Sequence, residues 1–380
     1  MSIETAITRA WQRKAAWLWL LLPVSWLYGG LIWLRHQAYK LGWFASFRAP
    51  VPVMVIGNIT VGGSGKTPLI ITLVDYLQQQ GIKVGVISRG YGGDSNQMPA
   101  LVTKESLPSA VGDEPCLIVN MTAVPMAVCP NRQQAIETLL AVHPDLQLII
   151  ADDGLQHYAL QRDIEWIVVD VARGFGNQQL LPTGFLREPM ARLTAATVIY
   201  HKKPDVELAS ERSGGLDQHS NKSLTMQLQP DGLHLLLSKH DSHGLDEVIS
   251  SAVTSAPKAG ELVHAVSGIG YPQRFFATLN TLGFEVIEHP YPDHHDFSLT
   301  ELLQYSQYPI IVTSKDAVKI RTILLKTAAE KNINDEYQDL VSRLWVLPVT
   351  AELSDACYQT LQQQLTRLGI TMPIFESLLK

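Results

Sequence analysis

Cysteine is scarce in this 380-residue chain, and its three cysteines (Cys116, Cys129 and Cys357) lie far apart without a C-x-x-C pair. This spacing argues against a disulfide framework or a structural zinc site and favours a reducing compartment. Charge is also sparse, since 17% of the residues are charged and the net charge is −6, which argues against a nucleic-acid binder. The apolar content of 46% is enough for two domains with cores of their own.

Charge is missing altogether between Ala15 and Leu34, a run long enough to span a bilayer as a helix. We expect Pro23 and the Gly29-Gly30 pair to interrupt regular helix there. Six tryptophans are spread over residues 11–43, whereas a spanning helix concentrates them at its ends. No small-residue cleavage site follows, so removal as a signal peptide is not expected.

Three interpretations of this apolar segment stay open: a helix or helical hairpin embedded in the plane of a membrane surface, a single spanning helix, or a helix buried in the protein core. The first 50 residues carry six Lys or Arg and one acid, Glu4, on a chain that is acidic as a whole. A basic, Trp-rich segment favours contact with an anionic membrane surface. We therefore predict a membrane-associated segment over residues 1–48.

The next segment, residues 51–67, reads V-P-V-M-V-I-G-N-I-T-V-G-G-S-G-K-T and leads directly into a helix-like run. The pattern is typical of a phosphate-binding loop, in which backbone amides hold phosphates, a lysine reaches the β/γ oxygens and a Thr hydroxyl binds Mg²⁺. The strict pattern has glycine where this chain has Thr60, so a glycine-rich turn in an ordinary strand–helix unit is the alternative. The loop predicts a nucleotide triphosphate ligand, and a nucleotide site that faces the cytoplasm because ATP is there.

Apolar β-rich runs alternate with helix-like runs from residue 51 onward, which predicts a mostly parallel sheet with helices on both faces, of the P-loop NTPase-like α/β class. We assign residues 49–212 to this domain. A polar stretch over residues 207–222 predicts a linker or exposed loop. Leu224–Gln229, the Asp231-Gly232 turn and Leu233–Leu237 then predict a β-hairpin, with a hinge as the hypothesis for its role. A smaller α/β domain is expected over residues 223–380.

Acidic residues occur at two positions where phosphoryl-transfer chemistry needs them. The strand predicted over residues 146–152 ends in Asp152 and is followed by Asp153, and a strand-terminal acid in a phosphate-loop enzyme holds Mg²⁺. Turn capping is the alternative, and the spacing does not say which acid binds the metal. Asp113, in V-G-D-E-P, is either a helix N-cap or the carboxylate that orients or deprotonates an acceptor hydroxyl.

Three further loops carry candidate residues. Residues 291–297, Y-P-D-H-H-D-F, are compatible with a metal site, a His–carboxylate pair or a solvated turn. In L-P-T-G-F-L-R-E-P, Arg187 and Glu188 are either an anion clamp with a metal-directed carboxylate or a surface ion pair. Arg89 and Tyr91 follow a strand whose end should lie beside the phosphate loop, where they could hold a phosphate and a sugar.

Together these segments resemble the tetraacyldisaccharide 4'-kinase family, which phosphorylates the lipid A disaccharide precursor. Seven motifs match in family order between about residues 50 and 320, and the apolar N-terminal segment matches as well. One departure is T-G-F at Thr183–Phe185, where the family has A-G-P. The matching segments are G-N-I-T-V-G-G-S-G-K-T-P, S-R-G-Y-G-G, G-D-E-P, A-D-D-G-L-Q-H, L-P-T-G-F-L-R-E-P, P-D-H-H-D-F and T-S-K-D-A-V-K.

The resemblance implies ATP and Mg²⁺ as cofactors and transfer of the γ-phosphoryl group to the 4'-hydroxyl of a tetraacyldisaccharide 1-phosphate, giving lipid IVA. It implies a glycolipid partner, a membrane surface, no nucleic acid, and a location on the cytoplasmic face of the inner membrane. The disaccharide is expected in a cleft between the two α/β domains.

The resemblance also assigns roles to individual residues, and it makes Thr60 the family's own form of the phosphate loop. The adjacent histidines leave the identity of the Asp113 partner open by one residue. The implied catalytic residues are Asp113, His294 and Lys66; the implied nucleotide contacts are Thr60, Val61, Gly62, Gly63, Ser64, Gly65, Lys66 and Thr67; the implied metal contacts are Thr67, Asp152, Asp153 and Glu188; and the implied substrate contacts are Arg89, Tyr91, Arg187 and His295.

Two other classes of function use the same phosphate loop. One is a membrane-associated regulatory or transport ATPase, which hydrolyses ATP without an acceptor lipid and has no need of G-D-E-P or the D-H-H loop. The other is a non-catalytic nucleotide-binding membrane scaffold. ATP turnover with and without a glycolipid acceptor separates the three.

Overall fold

The computed structural model describes residues 15–202, 224–237, 255–330 and 334–371, together with Ile7, Ala10, Trp11 and Arg13. The linker predicted over residues 207–222 lies outside the described residues. The chain packs as two compact units, the first drawn from residues 1–89, 124–228 and 351–380 and the second from residues 90–123 and 229–350. The contiguous domains 49–212 and 223–380 stay a prediction, which differs from this division in where residues 90–123 and 351–380 belong.

The strands are β1 (Val53–Gly57), β2 (Val84–Ser88), β3 (Ala100–Val102), β4 (Met126–Val128), β5 (Leu148–Asp152), β6 (Ile164–Asp170), β7 (Thr197–Lys202), β8 (Thr225–Pro230), β9 (His234–Leu235), β10 (Leu262–Ser267), β11 (Glu285–Pro290), β12 (Ile310–Thr313), β13 (Leu344–Leu347) and β14 (Val349–Leu353). The α-helices are Leu22–Lys40, Lys66–Gln79, Pro108–Val111, Asp113–Thr122, Arg132–Val142, Pro272–Thr281, Leu299–Leu303, Ser314–Ala329, Asp335–Arg343 and Asp355–Arg367. The 3₁₀ helices are Ala16–Leu21, Ser95–Gln97 and Met190–Ala195.

A mostly parallel sheet forms the centre of the first unit, with its strands in the order β14-β8-β7-β6-β1-β5-β2-β4. Strand β1 is parallel to both of its neighbours, β5 and β6. Every residue of β1, β2 and β5 is buried, as expected for apolar strands covered on both faces. The helices Lys66–Gln79 and Arg132–Val142 pack on these strands, and Asn131 caps the second of them by accepting from the Gln133 N–H. The predicted α/β class is confirmed.

The N-terminal α-helix Leu22–Lys40 continues through Gly29 and Gly30, so the predicted interruption at these glycines is wrong, whereas near Pro23 the chain changes from the 3₁₀ helix Ala16–Leu21 to this α-helix. Pro23 lies in its first turn, where the missing N–H costs no hydrogen bond. Gly29 lies against Leu180, and a β-carbon there would be 2.9 Å from the Leu180 side chain, so a larger residue would require that side chain to move. Residues 16–40 are long and apolar enough to cross a membrane by length and composition, and little of this stretch is buried.

The second unit contains a five-stranded sheet with the order β11-β10-β12-β13-β9. Its strands are parallel except for β9, which runs antiparallel to β13. One apolar core of this unit includes Val266, Ile310 and Tyr337, and a second includes Val263, Phe276 and Trp345. The sheet confirms the expectation of a second α/β unit.

The predicted β-hairpin over residues 224–237 is wrong. Strand β8 pairs in parallel with β7 in the first unit's sheet, whereas β9 pairs with β13 in the second unit's sheet. Residues 231–233 between the two strands form no turn, and the Gly232 N–H donates only to the adjacent Asp231 Oδ1 at 2.8 Å. Met226 is fully buried in the first unit, while Leu236 and Leu237 are buried in the core of the second. The alternating apolar residues of this stretch are therefore divided between two separate sheets.

Candidate active site

The glycine-rich turn connects β1 to the helix that begins at Lys66, as the sequence predicts. Gly65, the N-cap residue of this helix, has a φ of 89°, and Gly62 has a φ of 95°, conformations that L-residues with a β-carbon rarely adopt. Because glycine has no side chain to cap the helix, the first N–H groups of the helix are left for an anion. The turn thus has the local geometry of a phosphate-binding loop.

A short extended segment braces this loop from the side. The Val61 N–H donates to the Phe185 carbonyl at 2.9 Å, and the Arg187 N–H donates to the Ile59 carbonyl at 2.7 Å. Inside the loop, the Asn58 amide donates to the Gly62 carbonyl at 3.2 Å. These bonds fix the loop backbone to the L-P-T-G-F-L-R-E segment, so the two motifs form one structure.

Asp153 lies between two cationic side chains, those of Lys66 and Arg187. Its carboxylate is 3.3 Å from Lys66 Nζ and accepts two hydrogen bonds from the Arg187 guanidinium at 3.1 Å. Asn58 Oδ1 accepts from both cations, at 3.2 Å from Lys66. Burial raises the pKa of Asp153, but the charges of Lys66 and Arg187 outweigh it and hold this pKa well below its ordinary value. Asp153 is therefore ionised at neutral pH and orients both cations.

Asp152 ends β5 and is buried. The Ser88 hydroxyl donates to its Oδ2 at 3.3 Å. The buried Arg132 guanidinium donates to the backbone carbonyl of Asp152 at 3.2 Å and to that of Cys129 at 2.9 Å. Arg132 thus fixes the chain at the carboxyl end of β5, where the two acids follow each other.

The four predicted metal contacts do not have equivalent surroundings. Glu188 is buried, is 3.2 Å from the Arg192 guanidinium, and accepts from Gln156 at 3.2 Å. Burial raises the pKa of Glu188, although Arg192 acts in the opposite direction. Among the residues that the structure describes, no group of three or more His, Cys, Asp or Glu side chains is placed to hold a metal ion. The metal roles of Thr67, Asp152, Asp153 and Glu188 stay predictions.

Asp113 and His294 meet within the second unit, although 181 positions separate them in sequence. His294 Nδ1 is 3.0 Å from Asp113 Oδ2. Asp113 is the first residue of its helix and Gly112 the N-cap, so the N-cap interpretation of Asp113 is wrong. Gly112 has a φ of 98°, and a β-carbon there would be 2.6 Å from the Tyr91 carbonyl, so the turn before Asp113 requires glycine.

His295 has different neighbours from His294. Its ring stacks on Tyr291 with 4.4 Å between ring centres, and its Nε2 is 3.3 Å from Glu301. His294 has a φ of 59°, and its backbone N–H donates to the Gly268 carbonyl at 3.0 Å. This left-handed turn directs His294 toward Asp113, and the structure pairs that histidine with the aspartate.

Two lysines of the helix Ser314–Ala329 surround this pair. Lys315 Nζ is 3.3 Å from His294 Nε2 and 3.2 Å from Glu114. Lys319 Nζ donates to the carbonyls of His294 and His295 at 2.8 and 3.1 Å and is 3.7 Å from Asp113. Lys319 therefore holds the strained turn, while Lys315 faces the ring nitrogen opposite to the one that contacts Asp113.

The ionisation of the pair follows from these contacts. Burial raises the pKa of Asp113, but the hydrogen bond from His294 and the charges of Lys315 and Lys319 bring it below its ordinary value. The hydrogen bond to Asp113 raises the pKa of His294, against burial and the charge of Lys315. Asp113 is therefore a carboxylate at neutral pH.

The remaining predicted substrate residues fall in different units. Arg89 is an exposed residue directly after β2 in the first unit. Tyr91 belongs to the second unit, is 64% exposed, and lies with its ring centre 4.9 Å from that of His294. Arg187 lies in the first unit, in the L-P-T-G-F-L-R-E segment that is hydrogen-bonded to the phosphate loop.

Sequence reasoning assigned no role to several residues that build these sites. Asn58, Gln156, Lys315 and Lys319 lie inside motifs quoted above, and their position within those motifs was the available signal. Arg132 and Arg192 lie outside the quoted motifs, and no local pattern distinguishes them from surface arginines.

Comparisons with known proteins match nearly the whole chain to one family. The family model for tetraacyldisaccharide-1-P 4'-kinase, LpxK, matches residues 17–366. A tetraacyldisaccharide 4'-kinase of Psychrobacter cryohalolentis is 70% identical over 373 residues, which cover 97% of this chain and 98% of that protein. One from Methylobacillus flagellatus is 41% identical over 368 residues, which cover 97% and 98% of the two chains.

A solved structure also has a similar fold. The crystal structure of LpxK from Aquifex aeolicus, described as an "apo" form in complex with ATP, aligns with a TM-score of 0.65 at 24% identity. The alignment covers 92% of this chain and 99% of that one. At this identity the likeness concerns the fold.

The raised pKa of His294 leads to a pH prediction. A folded-state pKa above the ordinary 6.5 means that the protonated ring stabilises the folded protein; this contribution is complete below pH 6.5 and is lost as the pH rises through the raised value. We expect Asp113→Asn to lower the pKa of His294 below 6.5, because burial and Lys315 remain. An NMR titration of the ring protons measures this, with His295→Gln as the control. An unchanged pKa in the Asp113→Asn protein would contradict the pairing.

Proposed function

The chain belongs to the tetraacyldisaccharide-1-P 4'-kinase family, and we propose that it transfers the terminal phosphoryl group of ATP to the 4'-hydroxyl of the tetraacyldisaccharide 1-phosphate precursor of lipid A. The observation that carries the proposal is the geometry of the phosphate loop. Lys66 begins the helix after the loop, and the side chains of Lys66 and Arg187 both contact the carboxylate of Asp153. The first unit binds and polarises the nucleotide, and the second unit supplies the group that receives the hydroxyl proton.

The residues of the loop fit the tail of ATP. The N–H groups at the start of the helix bind phosphate oxygens, and Lys66 reaches the oxygens between the last two phosphates. Arg187 adds a planar fork suited to phosphate. Because Asp153 and Asn58 fix both cations before the nucleotide arrives, little reorganisation accompanies charge development during transfer.

The donor chemistry also fits Mg²⁺. The Thr67 hydroxyl lies in the first turn of the helix, and Asp152 ends the neighbouring strand β5. We assign the metal-directed role to these two residues, because a hydroxyl in the first helical turn and a strand-terminal carboxylate are the donors that phosphate-loop enzymes use for Mg²⁺. When bound, Mg²⁺ neutralises charge on the transferring group.

In the second unit, Asp113 accepts the proton of the sugar hydroxyl as the new P–O bond forms. His294 donates from Nδ1 to Asp113 Oδ2 and so fixes the carboxylate. Lys315 donates to His294 Nε2, which selects the ring tautomer with its proton on Nδ1. The low pKa of Asp113 means that it acts as an ionised group that orients the hydroxyl, with positioning supplying most of the rate.

The decisive experiment compares ATP turnover with and without the tetraacyldisaccharide 1-phosphate acceptor. A kinase shows turnover that depends on the acceptor and forms the 4'-phosphorylated lipid. Acceptor-independent turnover would favour the ATPase alternative, and binding without turnover would favour a nucleotide-binding scaffold.

We expect Lys66→Ala to lose about 3 kcal/mol of transition-state stabilisation, roughly a hundredfold in kcat, because it removes one preorganised cation from the transferring phosphates. Acceptor-dependent turnover measures the loss. Lys83→Ala is the matched control, since Lys83 forms only an exposed ion pair with Asp145. Near-normal turnover of Lys66→Ala would count against the phosphate loop.

We expect Asp113→Ala to lower kcat by about 10²-fold or more while the Kd for ATP changes little, because the nucleotide site lies in the other unit. Kinetics and nucleotide titration measure the two quantities, and a melting curve tests the fold. A role limited to starting the helix would instead lower the melting temperature and leave kcat normal.

We also propose that the helix Leu22–Lys40 lies in the plane of the membrane surface on the cytoplasmic face of the inner membrane. One side of this helix contacts the first unit along most of its length, through Ser25 and Tyr28 at the loop of residues 180–187 and Arg35 beside Tyr158. A spanning helix would leave the folded unit instead. The other side exposes Trp26, which is 69% accessible, and several further apolar residues.

We expect replacement of Trp26, Leu27 and Trp33 by glutamate to release the protein from vesicles of anionic phospholipid, because these side chains are exposed and provide apolar area for insertion. Vesicle co-sedimentation measures retention, and ATP titration confirms an intact nucleotide site. The control replaces Leu107, Met121 and Val142, exposed apolar residues elsewhere, by glutamate. Unchanged retention of the first triple variant would refute the proposed surface.

A further inference from the structure

A third cation, Arg173, packs on the phosphate loop. A β-carbon at Gly62 would lie 2.6 Å from Nη1 and 3.2 Å from Nη2 of the Arg173 guanidinium. The guanidinium therefore occupies the space beside the α-carbon of Gly62, where any other residue would place its side chain. Gly62 itself is an exposed loop residue four positions before Lys66.

The fold fixes the segment that carries Arg173. Strand β6 is parallel to β1, so the loops that follow these two strands emerge at the same edge of the sheet. Asp170 ends β6, and its carboxylate accepts from the Ala172 N–H at 3.1 Å. The Gly174 N–H donates to the Asp170 carbonyl at 2.9 Å, which closes a tight turn around Arg173.

Phe185 determines the orientation of the guanidinium. Its ring centre is 4.9 Å from Cζ of Arg173. Stacking uses the face of the guanidinium and not its N–H edge, and it keeps the side chain extended toward the loop. Because the Phe185 carbonyl accepts from the Val61 N–H, the stacking ring and the phosphate loop are parts of one hydrogen-bonded structure.

We propose that Arg173 is an arginine supplied in cis that contacts the terminal phosphates of ATP and stabilises the charge on the transferring phosphoryl group. This inference rests on the proposed kinase function. Arginines that reach a phosphate loop in this way act on the transition state more than on nucleotide binding.

The test compares Arg173→Met, which keeps much of the side-chain length, with Arg173→Lys, which keeps the charge but loses the planar fork. We expect Arg173→Met to lose roughly 10³-fold in acceptor-dependent kcat. Its Kd for ATP should rise less than about tenfold. Arg173→Lys should recover only part of the loss. Lys83→Ala, an exposed cation of the same unit, is the control.

A binding measurement provides a readout that does not depend on turnover. ADP with aluminium fluoride and Mg²⁺ mimics the transferring group, and we expect the wild-type protein to bind it more tightly than ADP alone. Arg173→Met should lose that gain while its affinity for ADP stays unchanged. Wild-type turnover of Arg173→Met, or an undiminished gain, would overturn the inference.

A purely structural role for Arg173 gives a different pattern of results. If Arg173 only braces the loop, its replacement lowers the melting temperature and weakens ADP and ATP together, and this result would also overturn the inference. Failure of the kinase proposal is separately visible, because the wild-type protein itself would then show no acceptor-dependent turnover.

Discussion

One carboxylate organises the phosphate loop of this chain. Asp153 follows a buried strand and faces Lys66 and Arg187, which come from two other segments of the first unit. Its low pKa keeps it ionised, so the two cations are drawn together without nucleotide. The parallel sheet makes this convergence possible, because the segments that follow parallel strands emerge at one edge. The glycines of the loop then let the backbone approach this cluster closely.

The second unit has the opposite arrangement of charges, since here several cations surround one buried acid, Asp113. Asp113 is 3% exposed, and desolvation alone would favour its neutral form. His294, Lys315 and Lys319 counter that tendency and keep the carboxylate charged. Lys319 also fixes the turn that presents His294, and Lys315 contacts the His294 ring, so the electrostatics and the geometry of the pair depend on the same two lysines.

Local patterns predicted much of this structure. The strand–turn–helix geometry of the phosphate loop and the α/β class each depend on residues close in sequence, and the structure agrees with them. The pairing of Asp113 with His294 was implied only by family resemblance, because no spacing rule joins residues 181 positions apart.

The errors have a common physical cause, which is that long-range packing overrides local preference. Gly29 looked like a helix breaker, whereas it lies inside a continuous helix that packs against Leu180. The apolar alternation around Asp231-Gly232 fits a hairpin equally well as two strands buried in separate cores. The environment of Lys315 and Lys319 likewise depends on which loop the fold brings to their helix.

The hydrogen bonds from Trp11 and from the helix Leu22–Lys40 to the loop of residues 180–187 make different demands on the two sides of the N-terminal segment. Trp11, Ser25 and Tyr28 donate to Pro182, to Leu180 or Thr183, and to Arg187, so each depends on the backbone geometry of one loop. The opposite side needs only apolar character, which many residue types provide. Among relatives, sequence drift should therefore be rapid on the exposed side and slow at these three donors.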